Sequence, residues 1–146
     1  MIDEFSQRNH LIDVARSWLN TPYHHAGRIK GVGVDCGTLL SEVSMETGLV
    51  ERVVIEDYVH DWHHNRSEEK YLGYVQRYAY EIDVADIEIG DILVWKFGRC
   101  FSHGAIYIGE GRIIHALLNV GCTMDELNSE FFKDRECRAF SFWDAP

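Results

Sequence analysis

The stretch Lys30–Val43, KGVGVDCGTLLSEV, places a cysteine directly after an aspartate, where a glycine-containing loop gives way to a helical pattern. Asp35 is of a residue type favoured at a helix N-cap. Cys36 would then lie in the first turn, on the same face as Leu40 and Val43. A helix N-terminus stabilises a thiolate through its free N–H groups and its dipole. The stretch therefore predicts a nucleophilic cysteine, with a core cysteine in an amphipathic helix as the alternative.

Outward from this stretch, the chain has helical patterns first and strand patterns later. Residues Ser6–Leu19 carry apolar side chains at helical spacing before Pro22, and a polar helix is predicted near Ser67–Tyr80, with Tyr71 on its less polar stripe. Runs typical of strands follow at 92–97, 104–109, 112–117 and 138–143. This segregation favours an α+β class over a parallel α/β sheet. We expect a single domain over residues 1–146.

Composition excludes some functions. The 146-residue chain has a net charge of −10, which disfavours nucleic acid as the main partner because phosphate binding needs a basic surface. No apolar run approaches the ~20 residues of a membrane span, so no membrane partner is expected. The first ten residues lack the features of a signal peptide, which predicts a protein that is cytoplasmic when made. The four cysteines are expected to be free thiols.

A pair of histidines strengthens the interpretation of Cys36 as a nucleophile. His103 and His115 lie in the stretch SHGAIYIGEGRIIHA, residues 102–116, on two predicted strands joined by a turn. If the turn is centred on Glu110, the two are diagonal neighbours on one face of the hairpin, roughly 7–8 Å apart at the backbone. His103 would take the thiol proton and His115 would orient its ring. A register shift of one residue would put them on opposite faces.

Two alternative sites carry weaker signals. Cys100 lies three residues before His103, but it has no helix-start context, and FGRC, residues 97–100, predicts a loop. A zinc site would have to use histidines without a recognised zinc-binding spacing, namely His24, His25, His60, His63 and His64. We therefore expect no metal and no cofactor.

In combination, three stretches resemble the NlpC-type cell-wall cysteine peptidases, a papain-like group. These are TPYHHAGRIKGVGVDCGTLL (21–40), GDILVW (90–95) and SHGAIYIGEGRIIHA (102–116), and the resemblance runs in order from Asn20 to Ala116. It implies a papain-like fold with N-terminal helices packed on a central antiparallel sheet of about five strands. It also implies that Cys36 is the nucleophile, His103 the general base and His115 the third catalytic residue.

The resemblance assigns roles to further residues. It implies that Tyr23 lines the site beside the thiol, where its hydroxyl would assist the backbone N–H of Cys36 in binding an oxyanion, and that Asp35 shapes the pocket entrance. The chain departs from the family pattern after the nucleophile, where Gly37-Thr38 replaces Ser-Gly. It departs again at Gly104-Ala105, where the family more often has a branched residue and glycine.

The implied activity is hydrolysis of peptidoglycan stem peptides through a thioester, between D-γ-glutamate and a diamino acid. Compact members encoded with phage tail genes suggest phage tail proteins as partners and a virion-associated location. The alternatives are a catalytically silent tail-assembly protein, or an amidase or acyltransferase that uses the same residues. We also expect Cys36 to have a lowered thiol pKa and to react with iodoacetamide faster than the other three cysteines.

Overall fold

The computed structural model describes residues 3–53 and 69–143. The helices are α1 (Glu4–Ser17), α2 (Cys36–Glu46) and α3 (Lys70–Tyr78), and a short 3-10 turn covers Val84–Asp86. The strands are β1 (Arg28–Ile29), β2 (Gly33–Val34), β3 (Tyr80–Ile82), β4 (Ile92–Phe97), β5 (Cys100–Gly109), β6 (Arg112–Leu117), β7 (Gly121–Glu126) and β8 (Cys137–Ser141).

Helix α2 begins where the sequence predicts, because Asp35 caps it. Its Oδ1 accepts hydrogen bonds from the N–H groups of Gly37 and Thr38, at 2.9 and 2.8 Å. The Asp35 N–H in turn donates to Thr38 Oγ1 at 2.8 Å, which completes a capping box. Gly48, with a φ of +80°, follows the last turn, as expected for a residue that ends a helix. The cap places Cys36 at the first helical position.

The main sheet is antiparallel, with the order β3-β8-β4-β5-β6-β7. It has six strands, so the expectation of about five is corrected. Strands β3 and β7 were not predicted, because Tyr80–Ile82 is short and Gly121–Glu126 carries few β-branched or aromatic residues. They form because β8 and β6 offer them open edges to pair with. Strand β5 also begins earlier than predicted, at Cys100. The loop predicted for residues 97–100 is therefore only a turn, at residues 98–99, between β4 and β5.

Two apolar layers lie on the two faces of this sheet. The helices cover one face, where side chains such as Leu39, Ile106 and Ile114 form the larger core. The other face carries a smaller cluster, which Phe132 covers from the segment between β7 and β8. Its remaining buried members are Leu93, Trp95, Ala105, Ile113 and Ala139. Both histidines of the predicted pair belong to strands of this sheet.

Some predictions concern residues 54–68, which lie outside the described residues. His60, His63 and His64 of the considered zinc site fall there. Within residues 3–53 and 69–143, no group of three or more potential metal ligands occurs. Over the same ranges, no helix is both long and apolar enough to cross a membrane.

The polar helix predicted near Ser67–Tyr80 is observed as α3, with Tyr71 and Leu72 buried.

Candidate active site

The β5–β6 hairpin brings His103 and His115 into contact. Ile106 pairs with Ile114, which is the register expected for a turn centred on Glu110. A one-residue shift occurs only nearer the turn, where Gly109 pairs with Arg112. The histidines therefore share a face, and His103 Nε2 lies 2.9 Å from His115 Nδ1. The prediction that the two histidines share one face of the hairpin, within reach of each other, is confirmed.

A carboxylate lies beside the second histidine of the pair. His115 Nε2 lies 3.3 Å from Asp125 Oδ2, so the two side chains form an ion pair when His115 is protonated. Asp125 pairs with Ile113 across β6 and β7, and so shares a face with His115. Burial lowers the pKa of His115, and the Asp125 charge opposes this effect without reversing it. Asp125 is absent from the predicted site residues because the sequence of β7 carries no clear strand pattern.

An aromatic wall covers the two histidines. The Phe132 ring stacks on His103, with centroids 5.9 Å apart and an interplanar angle of 28°, and it lies 5.4 Å from the His115 ring. Phe131 lies edge-on to His103 at 5.8 Å and is 38% exposed. His115 itself is 0% exposed. The wall keeps water from the pair on one side, and Phe131 faces solvent beside it.

The thiol of Cys36 packs against the backbone of β5 on either side of His103. Its Sγ lies 3.8 Å from the carbonyl oxygen of Ser102, and a hydrogen bond from the Gly104 N–H also reaches it. A bulge lies at this point of β5, since Trp95 pairs with His103 while Lys96 pairs with Phe101. The first turn of α2 therefore contacts β5 at Ser102 and Gly104, the neighbours of His103, which is the candidate general base.

The predicted lowering of the Cys36 pKa is wrong. Burial raises the pKa of this thiol, and the charge of Asp35 raises it further. Hydrogen bonds from the N–H groups of Cys36 and Gly104 and from the Tyr71 side chain lower it by less. The helix N-terminus does not lower the pKa below its ordinary value, because burial, and then the nearby carboxylate of Asp35, disfavour the thiolate more strongly. Cys36 is therefore a neutral thiol near pH 7, and its reactivity requires a base.

Residues 20–141 match the NlpC/P60 family model. The chain belongs to the NlpC/P60 family. It is 22% identical over 128 residues to an Escherichia coli K12 protein, the murein DD-endopeptidase MepS/murein LD-carboxypeptidase, and the match covers 88% of this chain and 59% of that protein. The chain thus spans little more than half the length of this curated relative.

Solved NlpC/P60 structures share the fold. The NlpC/p60 domain of the peptidoglycan hydrolase SagA has a TM-score of 0.63 at 21% identity, covering 92% of this chain and 97% of that one. An NlpC/P60 protein from Bacillus cereus has a TM-score of 0.67 at 21% identity, with coverages of 92% and 40%. The Mycobacterium tuberculosis peptidoglycan hydrolase RipB gives 0.66 at 16%, with coverages of 99% and 70%. At these identities the likeness concerns the fold.

Asp35 and Tyr23 lie beside Cys36 in this NlpC/P60 chain. Asp35 is buried, and its Oδ2 accepts a 2.7 Å hydrogen bond from the Ala26 N–H while its other oxygen caps α2. It therefore ties the preceding loop to the start of the helix. Burial, and then the charges of Cys36 and Asp35, raise the pKa of Tyr23, so its hydroxyl stays neutral. Oxyanion binding by Tyr23 and a pocket-shaping role for Asp35 stay predictions.

Two further side chains are the rival thiol, Cys100, and a tyrosine that contacts the backbone of Cys36. Cys100, the rival nucleophile, is buried at the first position of β5, opposite Phe97. The Tyr71 hydroxyl donates a 2.9 Å hydrogen bond to the carbonyl oxygen of Cys36. The helical pattern indicated that Tyr71 is buried on α3, but no signal in the sequence connected it with Cys36.

Proposed function

We propose that this protein is a cysteine peptidase that hydrolyses peptide bonds in the stem peptides of peptidoglycan. The observation that carries the proposal is that Cys36, at the start of α2, contacts Ser102 and Gly104 on either side of His103, whose ring is hydrogen-bonded to His115. Family membership supports the substrate class, since the E. coli relative is named as a murein endopeptidase and carboxypeptidase.

The tautomers of the histidine pair follow from the direction of proton transfer. His103 Nε2 is hydrogen-bonded to His115 Nδ1. The nitrogen that would take the thiol proton is therefore the other one of the His103 ring, Nδ1. A neutral His103 that accepts at Nδ1 carries its own proton on Nε2 and donates it to His115 Nδ1. His115 then carries its proton on Nε2, which faces Asp125. The carboxylate favours this tautomer and stabilises the positive charge that develops on the pair.

Acyl transfer then proceeds in two halves. The Cys36 thiol turns from Ser102 O, gives its proton to His103 Nδ1, and its sulfur attacks the peptide carbonyl carbon. The backbone N–H of Cys36 and the Tyr23 hydroxyl would stabilise the oxyanion. His103 returns the proton to the leaving amine, which departs as the thioester forms. Water, deprotonated by His103, attacks the thioester; the carboxylic acid is released and the Cys36 thiol is restored.

The finer assignments rest on the resemblance in sequence. They are cleavage between D-γ-glutamate and a diamino acid, association with phage tail proteins, and a location in the virion tail. An amidase or acyltransferase would use the same thiol and histidines on another amide. A silent tail-assembly protein would not need the Cys36, His103 and His115 contacts that the chain retains.

The first prediction concerns the nucleophile. Wild type should convert L-Ala-γ-D-Glu-diaminopimelate to L-Ala-γ-D-Glu and diaminopimelate, detected by mass spectrometry. Cys36→Ser should lower turnover by at least about a thousandfold, because a serine hydroxyl is a far weaker nucleophile beside this base. Cys100→Ser is the matched control and should retain activity.

Equal loss in both variants would contradict the assignment of Cys36. A folded wild type that leaves this peptide intact would contradict the proposed bond. A panel of peptidoglycan fragments with other amide bonds would then test the amidase alternative, and absence of turnover on the whole panel would favour the silent tail-assembly protein.

A further inference from the structure

A tyrosine hydroxyl from α3 fills the space between α2, which begins at Cys36, and β5. Tyr71 is 4% exposed, and its hydroxyl donates to Cys36 O at 2.9 Å. Gly104 lies opposite: a Cβ at this position would come within 2.4 Å of the Tyr71 hydroxyl and 2.9 Å of Leu40 Cδ1. Real Cβ atoms do not approach other atoms so closely. A side chain at residue 104 would therefore have to displace the Tyr71 hydroxyl.

We propose that Tyr71 is a positioning residue for the nucleophile: its hydroxyl holds the first turn of α2 against β5 and donates to Cys36 Sγ when the thiol ionises. The proposal deepens the proposed function and rests on it, because it takes Cys36 as the nucleophile. Tyr71 is 35 residues from Cys36 along the chain, on an element that the resemblance assigned no role.

The chemistry of one hydroxyl hydrogen explains how both tasks are possible. While Cys36 is a neutral thiol, the hydrogen points to Cys36 O. When a thiolate forms, a charge-assisted hydrogen bond is about twice as strong as a neutral one, so the hydrogen turns toward Sγ. The hydroxyl hydrogen changes acceptor by rotating about the C–O bond, in keeping with the lowering of the Cys36 pKa by a hydrogen bond from the Tyr71 side chain. The attacking sulfur therefore acquires a donor from a group already in place.

The surroundings of the thiol make such a donor valuable. The titratable groups around it are Asp35 at the helix cap, Tyr23 before β1, Tyr71 on α3 and His103 on β5. Burial and Asp35 raise the pKa of Cys36, and Tyr71 is the one side chain among its named hydrogen-bond partners that lowers it. The other two lowering partners are backbone N–H groups, of Cys36 and Gly104.

The same contact accounts for the departure from the family pattern at residue 104. A branched side chain there would occupy the position of the Tyr71 hydroxyl. The small residue on β5 and the tyrosine on α3 therefore form one unit in this chain. A change at either position should alter the effect of a change at the other.

The test measures iodoacetamide alkylation of Cys36 against pH, by mass spectrometry of the Cys36 peptide. In Tyr71→Phe, the rate below the thiol pKa should fall about tenfold and the profile should move to higher pH, since a hydrogen bond to the thiolate is lost. Tyr78→Phe, on the same helix and half-buried, is the matched control and should keep the wild-type profile. Thermal unfolding checks that each variant is folded.

Gly104→Ala tests the contact from β5. Its methyl group should displace the tyrosine hydroxyl and slow alkylation to a similar extent. The double variant Tyr71→Phe/Gly104→Ala should react no more slowly than Tyr71→Phe, because the hydroxyl that the methyl group displaces is already absent. If Tyr71→Phe does not fold, alkylation of Gly104→Ala decides alone, and a wild-type profile in it overturns the proposal.

A folded Tyr71→Phe with the wild-type profile, or losses that simply multiply in the double variant, would also overturn the role of Tyr71. Alkylation does not involve a peptide substrate. Failure of the proposed function, seen as absent turnover by wild type, is therefore distinguishable from failure of this inference.

Discussion

At the scale of single residues, the contact between His115 and Asp125 links the buried histidine pair to a partly exposed charge. The His115 side chain is inaccessible, whereas the Asp125 side chain is 34% exposed. Solvent therefore screens the carboxylate and limits its effect on the ring. Even so, Asp125 is the acidic side chain placed 3.3 Å from the nitrogen that the proposed tautomer protonates.

We expect Asp125→Asn to lower kcat about three- to tenfold with little change in KM, because the carboxylate stabilises positive charge that develops during proton transfer. Glu126→Gln is a matched control: it removes one negative charge from the next, exposed position of β7. Turnover of the stem peptide measures both. Equal losses would point to the net charge of the strand, and an unchanged Asp125→Asn would contradict the role.

At the scale of elements, helix α1 is anchored to the start of β4 by a buried ion pair. Arg8 Nη1 lies 2.8 Å from Asp91 Oδ1, and Asp91 is 1% exposed. The same nitrogen donates to Ile89 O at 2.9 Å, and the guanidinium lies 4.2 Å from the centroid of the Trp143 ring. This cluster connects the N-terminal helix, the sheet and the end of β8.

Replacing Arg8 with Met should lower the free energy of unfolding by about 3–5 kcal/mol, since it leaves the buried Asp91 carboxylate without its cationic partner and with the hydrogen bond from the Glu88 N–H. Urea denaturation measures the change. The control, Arg16→Met, removes the same charge from an exposed position of α1 and should change stability by less than about 0.5 kcal/mol. Equal changes in both variants would show that net charge, and not the ion pair, is responsible.

At the scale of the whole molecule, the buried His115 makes stability depend on pH. Burial lowers its folded-state pKa against the opposing Asp125 charge, while the unfolded chain has an ordinary value of about 6.5. The unfolded state therefore binds more protons as the pH falls below that value. The contribution of His115 is fully present above it and is lost as the pH falls toward the folded-state pKa.

The free energy of unfolding, measured by urea denaturation between pH 7.5 and 5, should therefore fall with decreasing pH. In His115→Gln the fall should be smaller, because glutamine does not titrate. Comparing the slopes of the two proteins separates His115 from the other seven histidines. Equal slopes would contradict the assignment.

Local rules account for what could be predicted about the fold. Asp35 as a cap, Cys36 at the first turn and the face shared by His103 and His115 depend on residues within a few positions or one short hairpin. Strand β7 escaped prediction because its residues have little strand preference and it forms by pairing with β6. Asp125 was missed with it.

The sequence by itself determined the class of fold, the family and the pairing of the two histidines, because helix caps and strand alternation act over short distances along the chain. Only the tertiary structure decided the surroundings of these groups. The raised pKa of Cys36, the Tyr71 hydroxyl beside it and the cover of Phe132 over the histidines all depend on segments that are distant in sequence. Burial and charge act through space, so packing sets the protonation of the site.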